Sequence, residues 1–308
     1  MPADARPPLP VAPAPWHLNG QAWIFILRDQ PFSETPIPLP EGNYAPLEKG
    51  SEGDLSHRFH GGTGLFLVIR YTSTPVGNYD EMHAPLSSFD MIVPGLFSFK
   101  PKGSQKKAYH WAITRLYVSL DESVCNGRPN WNIPKHRADF TFTKLKDGSE
   151  LLTVQHPVPG ATPFFRCRLQ HSRMTPFSFP ISTLWLETAL AKRLVTRGYE
   201  INLIQPPCPA ADGDDDPRIK PEGQRAEALK QGTGYRVVLH PAWGWARVGK
   251  ILPAPPFKGE PGADKDWSGF GDGVSFPRFR PLMSRLNVHL LTFDMLVPEP
   301  TILEMEDE

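Results

Sequence analysis

Short apolar runs, rather than helical stripes, dominate this chain. Residues 22–28 (AWIFILR) and 64–71 (GLFLVIRY) are apolar and rich in β-branched and aromatic side chains. Residues 109–119 (YHWAITRLYVS) are similar but mix polar and apolar positions on both faces. Further runs of strand character follow at 138–145, 150–156, 163–171, 199–205, 234–249 and 286–295. Runs of this length, separated by Gly, Pro and Asp clusters, predict strands. One segment, 181–196 (ISTLWLETALAKRLVT), carries near-helical spacing through Leu184, Glu187 and Leu190 and predicts a helix. The pattern as a whole predicts a mainly β, α+β protein: a large antiparallel sheet system with one or two short helices. Rolling such a sheet into a barrel removes its vulnerable edges and leaves room for a ligand.

Composition narrows this further. The chain has 308 residues, 36 of them proline. That proline content is incompatible with mostly long helices. Residues 1–15 (MPADARPPLPVAPAP) predict a disordered arm, because few large apolar side chains are available to offset the entropy of ordering it. Residues 16–308 are then one domain with loop insertions near 206–232, which holds Asp212, Asp214, Asp215 and Asp216, and near 253–275. The arm and much of 206–232 are expected outside the core, and 253–275 is read as a long loop of the kind that is often functional or mobile.

Charge excludes some partners. Lys plus Arg and Asp plus Glu both number 33. A neutral chain has no bulk electrostatic reason to seek nucleic acid or an anionic membrane. No run of about 18 apolar residues is present, so no transmembrane helix is expected, and a cytoplasmic protein is the default. The three cysteines, Cys125, Cys167 and Cys208, are odd in number and widely spaced, which predicts reduced thiols and no structural zinc site.

Several small constellations have unremarkable readings. His57 and His60 lack a third metal ligand and are read as a solvated loop. Gly61-Gly62-Thr63-Gly64 lacks the ending of a phosphate loop and is read as a turn. Trp243-Gly244-Trp245 is read as strand packing, with pocket lining as the alternative.

The segment with chemical content is Gly127-Arg128-Pro129-Asn130-Trp131-Asn132-Ile133-Pro134-Lys135-His136. Pro134 restricts the backbone before Lys135, and Trp131 and Ile133 are placed to bury it. Burial disfavours a charged ammonium, and a free amine attacks a ketone or aldehyde to form a Schiff base. A protonated His136 would act in the same direction. A lysine beside a turn is otherwise an ordinary solvated residue.

This segment resembles acetoacetate decarboxylase. Members carry a Gly-Arg pair, a five-residue spacer and Pro-Lys-Lys, which Gly127-Arg128 and Pro134-Lys135 reproduce without a gap. Tyr117 is in register with a family tyrosine, and Gly77-Asn78-Tyr79-Asp80-Glu81 is similar to the family's Gly-x-Tyr-x-Glu. The tail Phe293-Asp294-Met295-Leu296-Val297-Pro298 is similar to its closing strand. The resemblance implies an antiparallel β-barrel or cone, with Lys135 as Schiff-base amine and Glu81 and His136 as its catalytic companions. Arg128, Tyr79, Tyr117, Arg115 and Trp131 are the expected substrate contacts. It further implies a small carbonyl substrate or ligand, no metal and no cofactor; a homo-oligomer stays open. The alternative is a non-catalytic small-molecule-binding barrel of the same fold.

Two departures mark a divergent branch. The second lysine is His136 here, and the family's N-terminal arginine, a carboxylate clamp, falls at Gly20. Arg28, Arg115 or Arg128 would have to replace it. A larger, more apolar carbonyl compound than acetoacetate is therefore expected.

Overall fold

The computed structural model describes residues 7–84, 94–105, 107–172, 177–182, 202–238, 241–254, 270–278 and 287–306. In chain order its strands begin with β1 (Trp16–Gln30), β2 (Gly62–Ser73), β3 (Tyr79–Ala84), β4 (Leu96–Phe99), β5 (Ala108–Trp111) and β6 (Leu116–Val118). Helix α1 (Asp121–Trp131) precedes β7 (Lys135–Arg137), β8 (Asp139–Lys144), β9 (Glu150–Gln155), β10 (Phe165–His171) and β11 (Phe179–Ser182). The chain ends with β12 (Leu203–Gln205), β13 (Tyr235–Val238), β14 (Ala242–Pro253), β15 (Asn287–Val297) and β16 (Thr301–Leu303). The expected β-rich architecture is observed. Of the helix expected at 181–196, residues 181–182 belong to β11, and 183–196 lie outside the described residues.

The main sheet has eleven strands in the order β7-β6-β3-β2-β1-β15-β14-β10-β9-β8, with β11 added on β14. The two ends of that order, β7 and β8, are separated in the chain by Ala138 alone. The two Cα steps from Arg137 to Asp139 span at most about 7 Å, so the sheet curls until its first and last strands almost meet. The result is a nearly closed, barrel-like roll. Aromatic side chains fill it from opposite walls: Phe66 meets Phe165 at 5.0 Å and Tyr117 meets Phe164 at 4.6 Å. A second sheet, β16-β13-β12-β5-β4, packs outside the roll.

Alternation along each strand sorts side chains between two cores. Val68, Phe66, Phe25 and Tyr117 face the inside of the roll. Ile69, Leu67, Ala22 and Val118 face outward, against α1 and the second sheet, where Val124, Cys125, Trp131 and Leu203 meet them. The three cysteines are buried free thiols. Burial pushes the Cys208 thiol up to about 12, despite the nearby Arg128.

Helix α1 lies in a stretch where the sequence pattern predicted no element. Gly127 and Pro129 cost a helix interior about 1 and 3 kcal/mol respectively. The helix forms because packing outweighs propensity: Ser123, Val124, Cys125, Asn126, Gly127, Arg128 and Trp131 are all buried. It stops at Asn132, whose φ of 57° is left-handed and whose N–H returns to Arg128 O at 2.9 Å.

Two expectations of peripheral segments are corrected. Residues 7–15 lie along α1: Ala12 N donates to Asn126 Oδ1 (2.7 Å), Asn126 Nδ2 to Pro10 O (2.8 Å) and Asn130 Nδ2 to Ala12 O (2.8 Å). The proline-rich backbone there offers carbonyls that the two asparagines satisfy. Segment 206–232 covers the edge of the main sheet, with Cys208, Ile219, Ala228 and Leu229 buried. Gln224 acts as a substitute strand, accepting from Arg137 N at 2.7 Å and donating to Arg137 O at 2.9 Å. Part of 253–275 lies outside the described residues, but Phe270 is buried in the roll. No helix among the described residues is long and apolar enough to cross a membrane.

Candidate active site

Lys135 opens the edge strand β7, which pairs in parallel with β6 through Leu116↔Lys135 and Val118↔Arg137. Strand β3 lies on the other side of β6, with Glu81 opposite Val118. Side chains of paired residues share a face, so Lys135 and Glu81 both project toward α1. Lys135 is 4% exposed and Glu81 fully buried. Lys135 Nζ lies 2.9 Å from Glu81 Oε2 and 3.0 Å from Ser123 Oγ on α1. The phenol of Tyr71 donates to the other carboxylate oxygen, Oε1, at 2.9 Å. The Tyr79 ring centre is 5.5 Å from the ammonium.

This geometry explains the Gly-Arg pair. A Cβ on Gly127 would sit 2.6 Å from Lys135 Cδ and 2.7 Å from Cε. Only glycine lets the lysine stem pass across α1 to reach Glu81. Arg128, the next residue, turns to the strand backbone and donates to Lys135 O (3.3 Å), Lys230 O (3.1 Å) and Pro209 O (2.5 Å). It also pairs with Glu48 Oε1 at 2.8 Å. Arg128, expected to contact the substrate, instead fixes the lysine's main chain.

His136 follows the alternation away from Lys135. Its Nε2 lies 2.8 Å from Glu48 Oε2, and its ring faces Tyr117. The expectation that His136 shares a cavity with Lys135 and Glu81 is corrected: consecutive strand residues point to opposite faces. Glu48 thus bridges a guanidinium and an imidazole. Its burial alone would raise the carboxyl; His136 and Arg128 outweigh that and hold it at about 2 instead of 4.5.

The other expected contacts also have structural partners. Arg115 is buried and bound to Glu222 Oε1 at 2.5 Å. Tyr117 points into the roll and donates to Ser275 O at 2.8 Å, and burial pushes its phenol up. Trp131 donates to Pro298 O at 2.8 Å and meets Trp16 edge-on. Of the five expected substrate contacts, Tyr79 is the one whose side chain is brought against the Lys135 amine. Gly20, where the family clamp would stand, sits in a β-bulge; a Cβ there would lie 2.3 Å from Arg70 O. No arginine fits at that position. The side chain of Arg28 lies outside the described residues.

Three partners escaped the sequence reading: Ser123, Tyr71 and Glu48. Ser123 is twelve positions before Lys135 and needed α1 to bring it back. Tyr71 was reachable only through the pairing Tyr71↔Tyr79. Glu48 lies in a loop that carries no local signal.

Among the described residues no group of three or more His, Cys, Asp or Glu is arranged to hold a metal ion. No family model and no curated protein sequence matches the chain. Similar solved structures include acetoacetate decarboxylase from Legionella pneumophila (12% identity, 99% of this chain and 93% of that one, TM-score 0.45). An acetoacetate decarboxylase-like enzyme from Sphingomonas wittichii is 12% identical over 96% of this chain and 95% of its own, with a TM-score of 0.46. The enduracididine biosynthesis enzyme MppR is 12% identical over 99% of this chain and 97% of its own, with a TM-score of 0.41. Likeness at this level concerns the path of the chain and carries nothing about the site. In that sense the chain is similar, over almost its whole length, to acetoacetate decarboxylase and acetoacetate decarboxylase-like enzymes.

Proposed function

We propose that the protein is an enzyme acting on a keto or β-keto small molecule through a Schiff base at Lys135. The observation that carries this reading is the buried Lys135 amine, held between Glu81 Oε2 and Ser123 Oγ. Glu81 takes a proton from the ammonium, and the amine's lone pair attacks the substrate carbonyl to give a carbinolamine. The protonated Glu81 returns its proton to the carbinolamine hydroxyl, water leaves, and a protonated imine remains. That cation is an electron sink. A β-carboxylate can then leave as CO2, its bonding pair moving into the enamine; aldol cleavage or dehydration uses the same sink. Reprotonation at carbon and hydrolysis return the free lysine. Tyr71 keeps the Glu81 carboxylate aligned through its other oxygen.

The surroundings favour an apolar carbonyl compound over acetoacetate. Leu116, Val118, Val124 and Tyr79 share the core that receives the lysine, while Arg115 and Arg128 are committed to buried carboxylates. Lys135→Met tests the reading: consumption of the keto substrate should cease while the circular dichroism spectrum and melting temperature stay close to wild type. Full turnover in that variant would end it. The second reading, a barrel that binds a carbonyl compound without transforming it, has one observation on its side. His136, the residue in place of the family's second lysine, engages Glu48 instead of facing the amine.

A further inference from the structure

The expectation that Trp243 and Trp245 pack within the sheet is corrected: they stand 58% and 46% exposed. The aromatic rings that meet a reactive group belong to two tyrosines. Tyr71 and Tyr79 stand opposite each other on β2 and β3. Both are buried, with ring centres 4.6 Å apart and planes inclined at 44°. Phe293 meets the Tyr71 ring edge-on at 5.9 Å, and the Tyr71 phenol is taken by Glu81. Tyr79 turns to the amine: Lys135 Nζ lies over its ring, 5.5 Å from the centre.

Glu81 Oε2 and Ser123 Oγ hold two sides of that nitrogen, and its own stem, passing Gly127, holds a third. Of the groups around Nζ, the Tyr79 ring is the one that takes no proton from it, so a carbonyl carbon approaches on that side. A carbon bonded to Nζ at about 1.4 Å and directed at the ring stands about 4 Å from its centre, close to the best carbon–carbon contact of about 3.5–4.0 Å. The space is one flat layer deep. A planar group fills it at contact distance, whereas a puckered group brings hydrogens against the ring. Tyr79 opens β3, and Glu81 lies two residues farther along, about 7 Å. At the Tyr79 end Tyr71 and Tyr79 border a hollow of about 450 Å³, together with Asn78, Asp80 and Ser119, which offers room for the far end of a substrate.

We infer that Tyr79 determines the specificity of this site, and that the substrate is a planar conjugated carbonyl compound whose C=O is coplanar with an aromatic ring or a double bond and which lies flat on the Tyr79 ring. The inference rests on the Lys135 imine proposed above. The amine attacks the carbonyl carbon and water leaves, so the protonated imine that remains is conjugated with the substrate's own π-system. Its positive charge spreads over a plane lying on an aromatic face. Such a face attracts a cation within about 6 Å, and more strongly in a desolvated site. The step needs no further reactant.

Cyanoborohydride trapping on the full chain tests this, read as adduct yield on the Lys135 peptide with acetone, acetophenone and the saturated counterpart cyclohexyl methyl ketone. Each ketone's intrinsic reactivity cancels when its yield in Tyr79→Leu is divided by its yield in the wild type. The loss in Tyr79→Leu should be about tenfold or more greater for acetophenone than for acetone, with cyclohexyl methyl ketone behaving like acetone. Tyr79→Phe should keep the acetophenone adduct, because the ring face and not the hydroxyl is used. A second measurement needs no variant: benzamide should suppress acetone trapping in the wild type at lower concentration than cyclohexanecarboxamide. Equal losses for acetophenone and acetone, or equal suppression by the two amides, would overturn the inference, while an acetone adduct on Lys135 would leave the imine reading standing. No adduct on Lys135 from any of the ketones would overturn both.

Discussion

Glu48 is the residue whose removal has the most calculable effect. Both carboxylate oxygens are used, one by Arg128 and one by His136, and the residue is 1% exposed. Replacement by Gln preserves the shape and removes the charge, leaving the Arg128 guanidinium buried without its counter-ion. Two routes give the size of the loss. Breaking a buried ion pair from one side costs about 3–5 kcal/mol. Independently, the Glu48 carboxyl is held at about 2 instead of 4.5, which at about 1.36 kcal/mol per pH unit amounts to about 3 kcal/mol. Because the folded-state value is depressed, this stability is present above 4.5 and is lost as pH falls toward 2. Urea denaturation of wild type and Glu48→Gln should therefore differ by about 3 kcal/mol near neutral pH, and the two should converge in acid. A difference under about 0.5 kcal/mol, the scale of an ordinary surface substitution, would refute the reasoning. So would a gap that does not close in acid.

Three further outcomes follow from named contacts. Gly127→Ala should lower stability although alanine is the better helix former by about 1 kcal/mol, because breaking the buried Lys135–Glu81 pair costs about 3–5 kcal/mol. Its added methyl would displace the Lys135 stem, so borohydride trapping of a bound ketone should fall about tenfold or more; unchanged trapping would contradict the packing. His289 is buried against the Trp23 ring at 4.1 Å. Burial, with His171 and Arg247 nearby, lowers it from 6.5 to about 3. The imidazole thus stays neutral in the folded protein while the unfolded chain protonates, so stability present above 6.5 falls as pH drops toward 3. The loss should reach about 2 kcal/mol near pH 5, and His289→Gln should flatten the pH dependence of urea midpoints in that interval. Deleting residues 1–15 removes three hydrogen bonds to α1, each contributing about 1 kcal/mol, and should lower the melting temperature by several degrees.

Much of the sheet was readable because burial on both faces writes strands as continuous apolar runs. Residues 22–28 and 64–71 fall inside β1 and β2. Segment 109–119 broke into β5 and β6, which belong to different sheets. Segment 234–249 broke at Pro241, which cannot donate to a ladder. Helix α1 was illegible because Gly127 and Pro129 oppose it locally and only tertiary burial rewards it. The polar composition of 206–232 suggested solvent, yet Glu222 and Gln224 are polar because the edge of β7 and Arg115 require partners. The Lys135–Glu81 pair was legible through two motifs, whereas Ser123 and Glu48 depend on where distant segments end up.

The proposed reaction passes through an imine at Lys135. It is tested most directly by incubating the protein with a panel of keto compounds, reducing with borohydride and locating the adduct by mass spectrometry of peptides. One reduced adduct is expected on the peptide containing Lys135, absent from Lys135→Met and diminished in Glu81→Gln. Adducts scattered over surface lysines with none at Lys135, or the same adduct yield in Lys135→Met, would contradict it.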